Sequence, residues 1–205
     1  MVITNEVLRD ELPASGIAEN IVIEYTDQTA AIENADACID LLFQPGKERI
    51  QQLQSLKSSI IIINSISSTL EGLPSNFVRI NGWPGFLKRP IVEASCNSEE
   101  IKNIAEKVLS HFGKKTEWVP DVPGFVTARV VSMIINEAYF ALDEKVSSKE
   151  EIDTAMKLGT NYPYGPFEWG EKIGLPQIHE LLQNLARQNS RYEPAPLLKQ
   201  EALQS

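Results

Sequence analysis

The chain has 205 residues, enough for one full domain or two small ones, and 42% of them are hydrophobic while 23% are charged. The 19 basic and 28 acidic residues give a net charge of −9, which argues against the basic face that nucleic acid or an anionic membrane requires. Cys38 and Cys96 form no CxxC motif or Cys/His cluster, so the sequence predicts reduced thiols and no metal site. Because the sequence has neither a signal-peptide pattern nor a long apolar stretch, we expect a cytoplasmic protein that does not span a membrane.

The first 119 residues alternate between apolar runs and polar segments, as the strands and helices of an α/β layer do. Four consecutive isoleucines at 60–63 predict a strand buried on both faces, as in a parallel sheet covered by helices. Apolar residues with helical spacing predict a helix over 99–112, and a second helix is expected over 47–57. The predicted strands are 1–4, 21–25, 37–43, 60–64, 77–81, 91–94 and 116–119.

The pattern changes at residues 119–123, where two prolines interrupt the chain and helical patterns follow. Pro123 is expected in the first turn of a long helix that runs to about Glu144 and is apolar nearly all round. We therefore predict an α/β domain over 1–119 and an all-helical domain over 120–205.

Cap signals divide the rest of the helical part. Ser147 and Glu150 predict a capping box, and Gly159 predicts the end of that helix. Pro166 and Pro176 are each expected at the first position of a further helix.

Residues 121–175 closely resemble the helical domain of the 3-hydroxyacyl-CoA dehydrogenase family, through PGF, NEA and the run EEIDTAMKLGTNYPYGPFE. RYEPAPLLKQ resembles the tail of that family, and upstream ADACIDLLF, INSISSTL and FVRINGWPGFLKRPIVEAS follow its order of strands. The resemblance runs from about Ala35 to Gln200. It implies a Rossmann-like α/β domain followed by an all-α domain of the 6-phosphogluconate dehydrogenase C-terminal-like type. It also implies an oxidoreductase of fatty-acid metabolism that uses NAD and acyl-CoA, and a homodimer formed through the helical domain.

The resemblance also indicates where the NAD site would lie. The family opens its Rossmann domain with a GxGxxG turn, whose glycines let the backbone approach the pyrophosphate. Here the equivalent stretch has Asn5 and Glu6, and the only glycine among the first 45 residues is Gly16. After the fourth strand of the family, Gln44 stands where a Glu is usual. Either Lys47 or Arg49 stands for a helix Lys, so these three are the candidate nucleotide contacts unless they simply form a solvated helix face.

The catalytic positions follow from the same resemblance. PIVEA assigns the acid of the family to Glu93, and Asn81, 93 − 81 = 12 residues earlier, falls where the family has its catalytic His. Ser67 matches the serine that holds the substrate hydroxyl, and Ala128 replaces an Asn that contacts the reacting carbonyl. Since an amide cannot accept a proton near neutral pH, Asn81 cannot act as the general base.

Neither histidine easily replaces the missing base. His111 belongs to the helix before the domain break and His179 to a late helix, so both are expected to be surface or packing residues. The loop at 161–166 is interpreted as a structural corner, with acyl-chain contact as the alternative.

These departures predict a catalytically impaired homologue, a pseudoenzyme that binds acyl-CoA or a partner. One alternative is an active NAD-dependent enzyme with a rearranged site that uses Glu93 as its base. The other alternative is a dimerisation module built on the helical domain, with Ile134 and Phe140 on its interface.

Overall fold

The computed structural model describes residues 1–13, 21–27 and 35–204, and Gly16 lies outside that part. The chain divides into two compact units, Met1–Phe125 and Val126–Ser205. The first unit is an α/β layer and the second is helical, which confirms the predicted fold class.

A seven-stranded sheet forms the first unit, in the order β2-β1-β3-β4-β5-β6-β7. All neighbouring strands pair in parallel except β5 and β6, which are antiparallel. The four isoleucines of β4 are buried in the middle of the sheet, as their pattern predicted. The strands are β1 (Val2–Ile3), β2 (Tyr25–Thr26), β3 (Ala37–Asp40), β4 (Ile60–Asn64), β5 (Phe77–Ile80), β6 (Ile91–Ser95) and β7 (Lys115–Trp118).

Three α-helices lie among the described residues of this unit, and apolar clusters cover both faces of the sheet. They are α1 (Glu6–Glu11), α2 (Lys47–Ser55) and α3 (Glu99–Ser110). On one face Leu8, Ala105 and Leu109 pack with residues of the central strands. On the other face Leu53 and Leu56 pack against Ile61 and Ile63. The strand predicted over 21–25 is wrong in extent, because only Tyr25 and Thr26 pair with β1.

The second unit contains five α-helices and one short 3₁₀ helix among its described residues. They are α4 (Thr127–Asp143), α5 (Lys149–Thr160), α6 (Pro166–Ile173), α7 (Leu175–Ala186), the 3₁₀ helix (Ser190–Tyr192) and α8 (Pro196–Ala202). The start predicted for the long helix at Pro123 is wrong, because Gly124 and Phe125 have φ values of +84° and +49°. A right-handed helix cannot pass through such residues, and α4 therefore begins only at Thr127.

The predicted caps of the helical unit need similar corrections. The capping box of α5 is formed by Ser148 and Glu151, one residue after the predicted pair. That helix continues past Gly159 and ends at Asn161, which adopts the left-handed conformation with φ +56°. Pro166 is the first residue of α6 as predicted, whereas α7 begins one residue before Pro176.

A buried guanidinium holds the first unit together where the chain leaves the sheet. Arg79 on β5 is fully buried, and its Nη1 donates to Asp121 Oδ1 at 2.8 Å. Its Nη2 donates to the carbonyls of Val122 at 3.0 Å and Ile66 at 3.4 Å, and its Cζ lies 4.1 Å from the ring centroid of Phe125. One side chain thereby fixes both the turn after β4 and residues 121–125.

A buried amide side chain holds two segments of the second unit together. Asn136, the Asn of the NEA motif, is buried on α4. Its Nδ2 donates to the carbonyl of Glu193 at 2.9 Å, and its Oδ1 accepts from the backbone N–H of Ala195 at 2.7 Å. NEA therefore clamps the segment that precedes α8.

We expect Asn136→Ala to destabilise the helical unit, because it leaves two backbone groups without these partners. An unsatisfied buried group costs about 1–3 kcal/mol. Urea unfolding followed by tryptophan fluorescence, to which Trp169 of this unit contributes beside Trp83 and Trp118 of the first unit, measures the loss. Glu137→Ala, on the exposed side of the same helix, is the control and should change stability by about 0.5 kcal/mol or less. Equal stability of both variants would contradict the clamp.

We also expect Asp121→Ala to destabilise the first unit, because it leaves the guanidinium of Arg79 buried without its carboxylate. Breaking a buried ion pair costs about 3–5 kcal/mol, and the lower value applies here since Asp121 is 23% exposed. Denaturant unfolding of this variant against Glu71→Ala, an exposed carboxylate from the same loop region, tests this. A midpoint that moves no further than that of the control would contradict it.

Candidate active site

The structure pairs two of the predicted catalytic positions directly. In the antiparallel register of β5 and β6, Ile80 lies opposite Ala94, so Asn81 follows opposite Glu93. The backbone N–H of Asn81 donates to the carbonyl of Glu93 at 3.1 Å, and its side-chain Nδ2 donates to Glu93 Oε2 at 3.0 Å. Asn81 is only 3% exposed, whereas Glu93 is half-buried. Strand pairing thus holds this donor and acceptor in a fixed geometry.

The chemistry of the pair is asymmetric. The amide of Asn81 can donate and accept hydrogen bonds, but it does not titrate and cannot take a proton from a substrate hydroxyl. Glu93 is a carboxylate that accepts from that amide, and it is the only group of the pair able to accept a proton.

The third predicted position, Ser67, lies in the turn that follows β4. Because Asn64 pairs in register with Ile80, this turn begins beside Asn81. Ser65 Oγ donates to the carbonyl of Ser68 at 3.1 Å, which closes the turn. The carbonyl of Ile66 accepts from Arg79 and from the N–H of Gly124, so the half-buried Ser67 sits on a backbone that is held from both sides.

Asn64 was not among the predicted site residues, yet it joins the strand ends around the site. Its Nδ2 donates to the carbonyls of Leu41 at 3.1 Å and Gly82 at 3.3 Å, and its Oδ1 accepts from the N–H of Gly82 at 2.9 Å. A Cβ on Gly82 would lie 2.8 Å from Cγ of Asn64, so only glycine allows this approach. The signal was available in the sequence, since a polar amide ends an otherwise isoleucine strand.

Arg79 was also not among the predicted site residues, although the sequence carried a signal for it. It is a charged residue inside the apolar run FVRIN, and its side chain lies on the same face of β5 as Asn81, two residues on. A charge in a buried strand needs a partner, and that partner is Asp121 in the segment that carries the two prolines.

The candidate nucleotide contacts follow the end of β3, which pairs with β1 where the strand order reverses. Gln44 and Lys47 are exposed there. Arg49 is bound to Asp40 by two hydrogen bonds of 2.8 Å, and the N–H of Leu42 donates to the same carboxylate at 3.0 Å. Burial raises the pKa of Asp40, which the ion pair with Arg49 opposes. The guanidinium of Arg49 is therefore already engaged within the fold.

The turn between β1 and α1 consists of Thr4 and Asn5. Asn5 is the N-cap of α1, and its side chain accepts from the N–H of Leu8 at 3.0 Å. Glu6 is exposed in the first turn of this helix, which has only 6 residues. The N-terminus of α1 is thus capped by Asn5, and the negative side chain of Glu6 lies in its first turn.

The remaining site residues named from the sequence lie elsewhere. Ala128 is fully buried on α4, and its methyl group offers no hydrogen bond. His111 caps the C-terminus of α3, and His179 is buried on α7, where desolvation lowers its pKa. Within the first unit, Asn81 and not His111 takes the position beside Glu93.

The loop at 161–166 has the geometry of a packed corner. Asp153 on α5 is buried and accepts from the N–H groups of Phe167 at 2.8 Å and Glu168 at 3.1 Å at the start of α6. Gly165 lies so close to Asp153 that a Cβ there would be 2.3 Å from its carboxylate carbon. This explains the sequence GPFE by packing and capping alone.

In the part of the chain that the structure describes, no three His, Cys, Asp or Glu side chains are grouped as metal ligands would be. Among the same residues, no helix has the length and apolar character needed to cross a membrane.

Comparison with known proteins places the chain in a family. The model of the 3-hydroxyacyl-CoA dehydrogenase C-terminal domain matches residues 124–204. A 3-hydroxybutyryl-CoA dehydrogenase from Bradyrhizobium diazoefficiens is 38% identical over 214 residues, covering 96% of this chain and 71% of that protein. The solved (S)-3-hydroxybutyryl-CoA dehydrogenase from Ralstonia eutropha is 27% identical, with a TM-score of 0.69 over 80% of this chain and 64% of that one.

A further relative matches a smaller share of its own length. The 3-hydroxyadipyl-CoA dehydrogenase of Escherichia coli is 44% identical over 115 residues, which is 55% of this chain but only 24% of that protein. The chain thus spans about a quarter of this relative and under three quarters of the one from Bradyrhizobium. The identity over nearly the whole chain, together with the fold, shows that this chain belongs to the 3-hydroxyacyl-CoA dehydrogenase family.

Proposed function

We propose that this chain is a 3-hydroxyacyl-CoA dehydrogenase-like protein of acyl-CoA metabolism that binds acyl-CoA without efficient dehydrogenase turnover. The observation that carries the proposal is the 3.0 Å hydrogen bond from the amide of Asn81 to Glu93. Asn81 stands where the resemblance predicts the catalytic His, and it supplies a donor but no base. Loss of a positioned general base lowers a rate by about 10²–10⁴.

The geometry of the strand ends also argues against strong NAD binding. Nicotinamide dinucleotides place their pyrophosphate at a glycine turn, where the first helix of a Rossmann fold begins. Here the turn holds Asn5, whose side chain already caps α1, and Glu6 adds a negative charge. Arg49 is engaged with Asp40, so of the three proposed ribose contacts only Gln44 and Lys47 remain on the surface. These residues do not fit the cofactor, and no hydride step is assigned to them.

We expect acetoacetyl-CoA to raise the thermal midpoint of the chain, with NAD and NADH leaving it unchanged. A ligand at 100 times its dissociation constant stabilises by about 2.7 kcal/mol, which such a scan detects readily. Oxidation of NADH by acetoacetyl-CoA should stay at background, and Asn81→His alone should not restore it, since Ala128 and the β1–α1 turn also differ from the family. Ser67→Ala should weaken acyl-CoA binding, and exposed Ser75→Ala is its control.

Two results would overturn the proposal. Robust turnover by the unmutated chain that Glu93→Gln abolishes would establish the alternative, an active enzyme with Glu93 as its base. If no acyl-CoA raises the thermal midpoint, the chain does not have the proposed binding function.

We propose as a second function that the helical unit mediates a homodimer. Val126 and Val130 are 55% and 50% exposed, and Ile134 is half-buried one turn further on. These residues recur every four positions, so they form one apolar strip along α4. A two-fold contact between two such strips is self-complementary and would cover both.

We expect the chain to run at twice its mass of 22.9 kDa in light scattering, and Ile134→Asp to convert it to a monomer. A charge on a two-fold contact appears twice and close together, so one substitution carries a doubled penalty. Phe140→Asp tests the far end of the helix, and Lys145→Asp, at an exposed position beyond it, is the control. A mass of 22.9 kDa for the unmutated chain throughout the micromolar range would contradict the dimer.

A further inference from the structure

A buried lysine anchors the loop that joins the two strands of the Asn81–Glu93 pair. This β5–β6 loop, residues 81–90, begins at Asn81 and ends three residues before Glu93. Lys114, just ahead of β7, is 4% exposed. Its Nζ donates to the carbonyl of Leu87 and, at 2.9 Å, to that of Arg89.

The loop is also held by its own packing and by α1. Trp83, Phe86 and Leu87 are buried, and the Trp83 and Phe86 rings meet edge to face at 6.4 Å. Glu11 of α1 accepts from the N–H of Gly85 at 2.6 Å. In the closed loop, apolar side chains, the carboxylate of Glu11 and the ammonium of Lys114 are therefore buried together.

The ammonium is the costly member of this set. Within residues 1–13, 21–27 and 35–204, no carboxylate lies within ion-pair distance of Lys114, and its Nζ donates to the neutral carbonyls of Leu87 and Arg89. A charged group that leaves water without an opposite charge pays a desolvation penalty that carbonyl dipoles offset only in part. Burial accordingly lowers the pKa of Lys114 to about 8, against a smaller opposing effect of Glu11.

We propose that the β5–β6 loop is a latch whose closing buries the ammonium of Lys114, so that the loop opens more readily while this group is charged. The closed loop favours the neutral amine, whereas the open loop returns the lysine to water, where it holds its proton more strongly. Protonation therefore favours opening, and the closed loop gains stability as pH rises through the folded pKa. Because Asn81 is the first residue of this loop, opening the loop would release the chain next to the Asn81–Glu93 pair.

Other charged groups on the same elements have to be distinguished from Lys114 in the test. On the elements packed around the loop and in the loop itself they are Glu11, Lys88, Arg89, Glu93, His111 and Lys115. Lys88 lies 3.8 Å from Glu11, and its side chain is mostly exposed. Lys88→Met and Lys115→Met are therefore matched controls that remove a nearby lysine charge without emptying the buried position.

Amide hydrogen exchange of the full chain, measured residue by residue by NMR between pH 7 and pH 9, tests the latch without any ligand. The reporters are the N–H groups of Phe86 and Arg89, which bond within the loop to the carbonyls of Trp83 at 3.0 Å and Phe86 at 3.3 Å. After correction for the intrinsic exchange rate, their protection should rise about tenfold over this range, because opening takes up a proton. Their protection should also stay well below that of Ile62 and Val78, in the central strands, because the loop opens locally while those strands exchange only on wider unfolding.

The variants decide the outcome. Lys114→Met should abolish the rise, while Lys88→Met and Lys115→Met should keep it. If Lys114→Met does not fold, Lys114→Arg serves instead, since a guanidinium keeps its charge at pH 9 and should give flat protection. A flat profile in the unmutated chain, or the same rise in Lys114→Met or Lys114→Arg, would overturn the proposal. The result does not depend on acyl-CoA binding, so the latch and the proposed function fail or stand separately.

Discussion

The fully buried guanidinium of Arg79 is the constraint on which the first unit depends. An isolated charge in a sheet would be expensive to bury, and here a carboxylate, two carbonyls and the face of an aromatic ring surround it. Arginine suits this position better than lysine would, because its planar fork carries five donors in fixed directions. The same Asp121 also accepts from the N–H of Leu70 at 2.8 Å, so the pair ties the turn after β4 to the segment that leaves the sheet.

Local patterns predicted the elements of this fold well where one force dominated. The isoleucine run of β4 and the apolar stripe of α3 each bury a face that the sequence displays directly, and both formed as expected. The start of α4 could not be read in this way. Phe125 adopts a positive φ that its own residue type disfavours, and the tertiary contact of its ring with Arg79 stabilises it there. A contact between β5 and residue 125 joins residues far apart in the sequence, so no local sequence pattern predicts it.

The site was predicted as a set of positions, and its geometry was only partly predictable. The resemblance predicted Asn81 and Glu93 as a pair from their spacing, and antiparallel pairing brings the two side chains together. No sequence pattern predicted the ion pair between Arg49 and Asp40, since both are ordinary charged residues in the sequence. The pair forms only when α2 packs beside the end of β3. Side-chain partners of this kind are decided by tertiary packing, which composition and periodicity do not record.

The Asn81–Glu93 pair joins a carboxylate to a hydrogen-bond donor that cannot act as a base. Glu93 is half-buried and needs a hydrogen-bond donor at this position, whatever reaction the site performs. Histidine and asparagine both supply an N–H, and only histidine also supplies a base. An apolar residue at position 81 would remove the 3.0 Å hydrogen bond to Glu93, whereas Asn81 makes it without supplying a titratable group. Hydrogen bonding to Glu93 therefore needs only an N–H at position 81, whereas proton transfer from that position needs a second, basic nitrogen, so one substitution can separate the two properties.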